Sequence, residues 1–112
     1  MDEMLEDKLK VQAQKDRERE LSDIRTILLT PEGRRFYWRV MEEGNAFRDA
    51  YSVDTNSTFY NLGRQAISRY FLNELLESKP TALSQMQQER ESESKSRENK
   101  RKDELKEQSI IG

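Results

Sequence analysis

Apolar residues recur through the middle of this chain at the three- and four-residue spacing of helices, and no stretch alternates as a strand does. Leu21, Ile24, Ile27 and Leu28 form one stripe and predict a short first helix. Thr30-Pro31-Glu32 signals a restart. Threonine caps, proline suits the first helical position because its missing N–H is not needed there, and an acid favours the positive end of the helix dipole. The same proline disfavours helical geometry at Thr30, so the first helix ends at or before Leu29. The second helix carries Phe36, Tyr37, Val40 and Met41 on one face, leaves Trp38 between its apolar rows and only partly buried, and stops near Gly44-Asn45. A third helix begins near Asn56-Ser57 and runs to about Ser78, with Phe59, Leu62, Ala66, Ile67, Tyr70, Phe71 and Leu75 as its apolar stripe. Pro80 ends it by forcing Lys79 out of helical geometry. Gly63, inside this helix, costs about 1 kcal/mol relative to alanine, so close packing of a neighbouring helix is expected there. Ala46, Phe47, Ala50 and Tyr51 fit a short intermediate helix, and Thr81 through Leu83 and Met86 to Gln88 fit the start of a fourth. The fold class is all-α, a small core of three to four helices.

The flanks read differently. Residues 1–20 carry seven acids and five bases, and residues 89–107 carry seven of each, with almost nothing apolar to bury. Every ring lies between them, and large rings supply most burial in small cores, so the core is expected at 21–80. Residues 1–20 and 81–112 become charged arms, helical or disordered, ordered on contact with something else. Leu5, Leu9 and Gln12 are too few for a coiled coil. Glu and Lys/Arg alternate closely enough in the C-terminal part for a solvated single helix held by pairs three and four apart, before an apolar tip at Ile110-Ile111-Gly112.

Composition narrows the chemistry. The chain has 112 residues, 33% of them hydrophobic and 38% charged, with a net charge of −2. That length suggests one domain, and that balance disfavours a nucleic-acid binder held by bulk positive charge. There is no cysteine and no histidine, which removes thiolate chemistry and the commonest acid/base group and metal ligand. No apolar run approaches the roughly 20 residues of a membrane span, and the acidic start is unlike a signal peptide. Asp54-Thr55-Asn56 resembles the opening of a calcium loop, but Phe59 and Gln65 stand where glycine and glutamate are needed, so a helix cap is the better reading. Paired acids such as Glu42-Glu43 fit a wet helix face. No catalytic, cofactor-binding or metal-ligating set is expected, and the chain reads as non-enzymatic.

Arginine is the one unusual feature. Residues 21–88 hold seven arginines and a single lysine, Lys79, against eight acids. Guanidinium offers a planar fork and stacks on rings. The first reading is arginines paired with acids and packed on rings inside the bundle; the second is a protein interface; the third is phosphate contact with nucleic acid. The interface reading selects Arg34, Arg35, Trp38, Arg39, Tyr60 and Arg64.

Thr30-Pro31-Glu32-Gly33-Arg34-Arg35-Phe36-Tyr37-Trp38-Arg39, then Phe47-Arg48, then Phe59-Tyr60-Asn61-Leu62-Gly63-Arg64-Gln65 resembles a family of small tailed-bacteriophage proteins. These are encoded among the head genes near portal and scaffold, especially in short-tailed phages. The likeness spans roughly residues 23–80, with Gly33, Arg34, Arg35, Phe36, Trp38, Arg39, Phe59, Tyr60, Gly63 and Arg64 as signature positions. The resemblance implies a virion or head-assembly role in the virion or the host bacterial cytoplasm, with no enzyme activity and no cofactor. Portal, capsid or scaffold proteins, or further copies of the chain, are the partners expected, without a membrane. A DNA-contacting packaging factor using Arg34, Arg35, Arg64 and Arg69 and a soluble host-takeover inhibitor are the alternatives.

Overall fold

A computed structural model describes residues 2–48 and 54–111, the last two through their backbone. It is all-α, and among the described residues there are four helices: α1 (Glu3–Ile27), α2 (Pro31–Glu43), α3 (Thr55–Ser78) and α4 (Ala82–Ile111). The chain divides into two compact units, Met1–Ala82 and Leu83–Gly112.

The stop and start signals act where the residue chemistry places them. Thr30 caps α2 by accepting from the Gly33 N–H at 3.0 Å, with Pro31 first in the helix. Asp54 caps α3, accepting from the Ser57 hydroxyl at 2.9 Å and the Asn56 N–H at 3.2 Å, bonds that hold its carboxyl pKa below the usual range. Lys79, ahead of Pro80, turns extended and closes α3. The charged N-terminal residues are helical and continuous with the predicted first helix, so α1 is one helix of 25 residues. Residues 44–48 form turns, and the remainder of the expected intermediate helix lies outside the described residues.

The end of α2 is more specific than a glycine stop. Asn45, not Gly44, takes the left-handed conformation (φ 57°). The Ala46 N–H reaches the Met41 carbonyl at 3.1 Å and the Asn45 N–H reaches Glu42 at 2.9 Å, the paired bonds of a Schellman motif. Met41 and Ala46, the apolar pair that accompanies it, are both buried. Gly44 is needed for a different reason: a Cβ there would stand 2.6 Å from the Ser68 Cβ and 2.8 Å from the Arg64 carbonyl. Gly33 meets a similar limit in the turn from α1, where its Cβ would stand 1.8 Å from the Ile27 carbonyl oxygen.

Within the first unit α2 and α3 run antiparallel, joined by a series of bonds between α3 and α2 with the turn after it. Tyr37 donates to the Phe71 carbonyl, Ser68 donates to Val40 at 3.2 Å, and Gln65 donates to Asn45 at 2.9 Å and to Arg48. Helix α1 meets the other end of α3: Arg17 pairs with Glu74 at 2.8 Å and with Glu77, and Arg25 donates to the Ser78 carbonyl.

The burial pattern overturns two expectations. The core of this unit is Leu21, Leu28, Tyr37, Met41, Ala46, Leu75 and Ala82, so among the described rings Tyr37 alone is buried. Helix α3 turns polar residues inward, Gln65, Ser68, Glu74 and Ser78. Of its apolar stripe Leu75 is buried and Phe71 half-buried, while Phe59, Leu62, Ala66, Ile67 and Tyr70 are exposed. Hydrogen bonding causes this inversion: carbonyls near the end of α2 need donors, and Gln65 and Ser68 supply them from one face of α3. Gly63 likewise has nothing within 4 Å of a Cβ position, so the expected close helix packing falls on Gly33 and Gly44 instead.

The second unit consists of α4 beyond Ala82. Arg90–Glu93 at 3.0 Å, Arg97–Glu93 at 3.9 Å and Lys102–Glu98 at 3.5 Å are the three- and four-residue pairs that support a solvated helix.

Candidate interaction face

Turning α3 inside out leaves its large side chains in water beside those of α2. Arg64 and Ile67 of α3 share a hollow with Arg39, Val40, Glu43 and Gly44. Val40 continues into a second hollow of about 280 Å³, walled by Ile24, Ile27, Phe36, Tyr37, Tyr70 and Phe71 and edged by Glu20, Asp23 and Glu74. Tyr60 extends the surface past Arg64, whose guanidinium lies 5.5 Å from its ring centre, and Arg39 lies 5.6 Å from that of Phe36. Phe36, Tyr60, Ile67 and Tyr70 are exposed by 57%, 66%, 63% and 58%. At about 200 Å² per ring the three aromatics alone leave about 350 Å² in water, within the size range at which the largest patch on a monomer is often functional.

Three of the residues selected from sequence, Arg39, Tyr60 and Arg64, come together on this face. The other three do not. Trp38 is two residues from Phe36, about 200° around the helix. It stacks on Phe47 at 5.3 Å and donates to Glu42 at 3.0 Å. Arg35 sits outward beside Glu32 at 3.8 Å. Arg34 reaches back to the Leu28 carbonyl at 2.9 Å, closing the end of α1.

That last contact belongs to a pattern. Arg25 donates to Ser78, Arg34 to Leu28, Arg64 to Glu43 and Arg69 to Ala46, each a carbonyl at or just beyond a helix end. Final helical carbonyls lack intrahelical partners and carry the negative end of the dipole, so a cation with several donors serves them. Within 21–88 the expected acid pairing is met by Arg25 with Glu18 at 4.0 Å, Arg35 with Glu32 and Arg64 with Glu43 at 3.4 Å, and the expected ring packing by Arg39 and Arg64; the helix-end bonds are a further use of the same side chains.

No family model matches the chain, and no curated protein or solved structure does.

The titration behaviour of the first unit fits a packed scaffold. Burial, followed by the nearby Glu74 charge, pushes the Tyr37 hydroxyl well above the usual phenol range. Hydrogen bonds from Arg17 to Glu74, Glu77 and Glu20 hold its guanidinium firmly protonated. Among the described residues, no cluster of three or more acidic side chains is placed to hold a metal ion, and no helix is long and apolar enough to cross a membrane. Sequence reasoning missed Phe36, Ile67 and Tyr70 as surface residues because it assigned them to the core. The one available signal was α3 itself, where Gln65 and Ser68, and then Leu75 and Ser78, lie three residues apart and mark a second face able to face inward.

Proposed function

We propose that this chain is a non-enzymatic protein-interaction module that docks through the exposed face of α2 and α3. The observation that carries the reading is the inversion of α3: its polar residues face its own chain, while Ile67, Tyr70 and Tyr60 face water beside Phe36. Exposed rings rimmed by arginine have the composition of binding hot spots. The setting implied by the resemblance is phage head assembly, with portal, capsid or scaffold protein as the surface contacted.

Mixing the purified chain with each of these proteins tests the reading. The expected result is a complex with one of them that Ile67→Asp weakens while far-ultraviolet ellipticity and melting temperature are kept. No complex with any of them removes the head-assembly setting, and binding indifferent to Ile67→Asp removes this face.

A further inference from the structure

The charges around this face are unequally placed along it. One hollow has Arg39 and Arg64 at its edge, with Glu43 beside them; the other has Glu20, Asp23 and Glu74, with Arg17 bonded to the first and last. One end is therefore basic on balance and the other acidic, with Val40, Ile67, Tyr70 and Phe36 between. A surface with this layout complements itself when a second copy is laid on it end over end. In that arrangement like charges separate, each basic end covers an acidic end, and the contact is the self-complementary kind that closes after two copies.

We infer that the occupant of this face is a second copy of the same chain, with the two α3 helices antiparallel and crossing between Ile67 and Tyr70. The inference rests on the reading of the face as an interaction surface and names its partner. In that register Ile67 of each copy meets the level of Tyr70 and the 280 Å³ hollow of the other, and Arg64 comes to the level of Glu74. The three rings give about 350 Å² per copy. Ile27, Ile67 and the apolar stems of the two arginines extend this toward the about 800 Å² per partner of a stable contact. A unit of this size buries only about 60% of its unfolded surface alone, so a second copy adds what the single chain lacks.

Sedimentation equilibrium of the full chain across a wide concentration range provides the test. A dimer is expected. Ile67→Lys, at the crossing, raises its dissociation constant about thirtyfold or more, the scale of a central hot spot. Asp23→Arg and Arg39→Glu each weaken it, because each places like charges over one another, and the two together in one chain restore it. A third result separates this inference from the reading beneath it. If the chain is monomeric at every concentration, yet Ile67→Asp abolishes capture by a head protein, the second copy is refuted and the face remains a docking surface for a different protein. If the chain dimerises and neither Ile67→Lys nor the charge exchange affects the dimer, the contact lies elsewhere and the inference fails.

Discussion

Replacing Gly44 by alanine is the sharpest probe of how α2 and α3 fit. The added methyl would stand 1.7 Å from the Ser68 hydroxyl oxygen, 2.6 Å from the Ser68 Cβ and 2.8 Å from the Arg64 carbonyl oxygen. Carbon contacts settle at about 3.5–4 Å. Rotating Ser68 relieves the first clash but breaks its bond to Val40. The other two involve Cβ and backbone, so the helices must part by about 1 Å. Parting them loosens the bonds that join α3 to the end of α2: Ser68 to Val40, Gln65 to Asn45 and Arg64 to Glu43. Overpacking of this kind costs about 1–3 kcal/mol, and each weakened bond adds about 1 kcal/mol. The better helix propensity of alanine offsets at most about 1 kcal/mol. The expected net loss is about 3 kcal/mol, a large share of the total stability of any small domain. Followed by circular dichroism, the melting temperature falls by about 15 °C, at about 4–8 °C per kcal/mol, and the urea midpoint falls with an unchanged slope. Adding Ser68→Gly removes two of the three clashing atoms, so the double variant is more stable than the sum of its parts by about 1 kcal/mol. A Gly44→Ala chain as stable as its parent, or strict additivity with Ser68→Gly, would refute the close approach.

Gly63→Ala is expected to have the opposite sign, stabilising by about 1 kcal/mol in urea, because its Cβ meets open space inside a helix; a loss instead would show that something approaches α3 there. Gln65→Met deprives the Asn45 and Arg48 carbonyls of their shared donor in a buried position and costs about 1–3 kcal/mol in the same assay. Tyr37 keeps its proton in the folded chain above the usual phenol pKa of about 10. Stability is therefore full below about pH 10 and falls as pH rises beyond it, where the unfolded chain alone has lost the proton. Tyr37→Phe lowers stability at neutral pH by about 1 kcal/mol through the lost bond to Phe71 and flattens the alkaline fall; an equally steep fall in the variant would exclude Tyr37 as its source.

Local signals were legible wherever one residue acts on its own backbone. Thr30, Pro31, Asp54 and Pro80 set helix boundaries through caps and forbidden dihedrals, and those boundaries stand within a residue or two. The side of α3 that is buried was not legible, because it depends on partners distant in sequence. Periodicity alone gives the apolar stripe from Phe59 to Leu75, whereas the carbonyls of Val40, Asn45 and Arg48 need donors that Ser68 and Gln65 provide. Gly33 and Gly44 carry no sequence mark that distinguishes a close backbone approach from a turn. The same limit divided the selected site. Arg39, Tyr60 and Arg64 share a face, but Arg34 has the same side chain and works at the end of α1.

The two contacts of α3 respond to different solvents. Its junction with α2 consists of side chains donating to backbone carbonyls, short-range bonds that dissolved ions barely reach. The grip of α1 on it at Arg17 is a cluster of opposite charges in which Arg17, Glu20 and Glu77 are part-exposed and Glu74 is buried. Raising ionic strength therefore weakens the exposed pairs of Arg17 with Glu20 and Glu77 first, while the root of α1 at Leu21 and Leu28 stays packed. The residues ahead of Leu21 thus form a strap whose hold on α3 is set by the surrounding electrolyte.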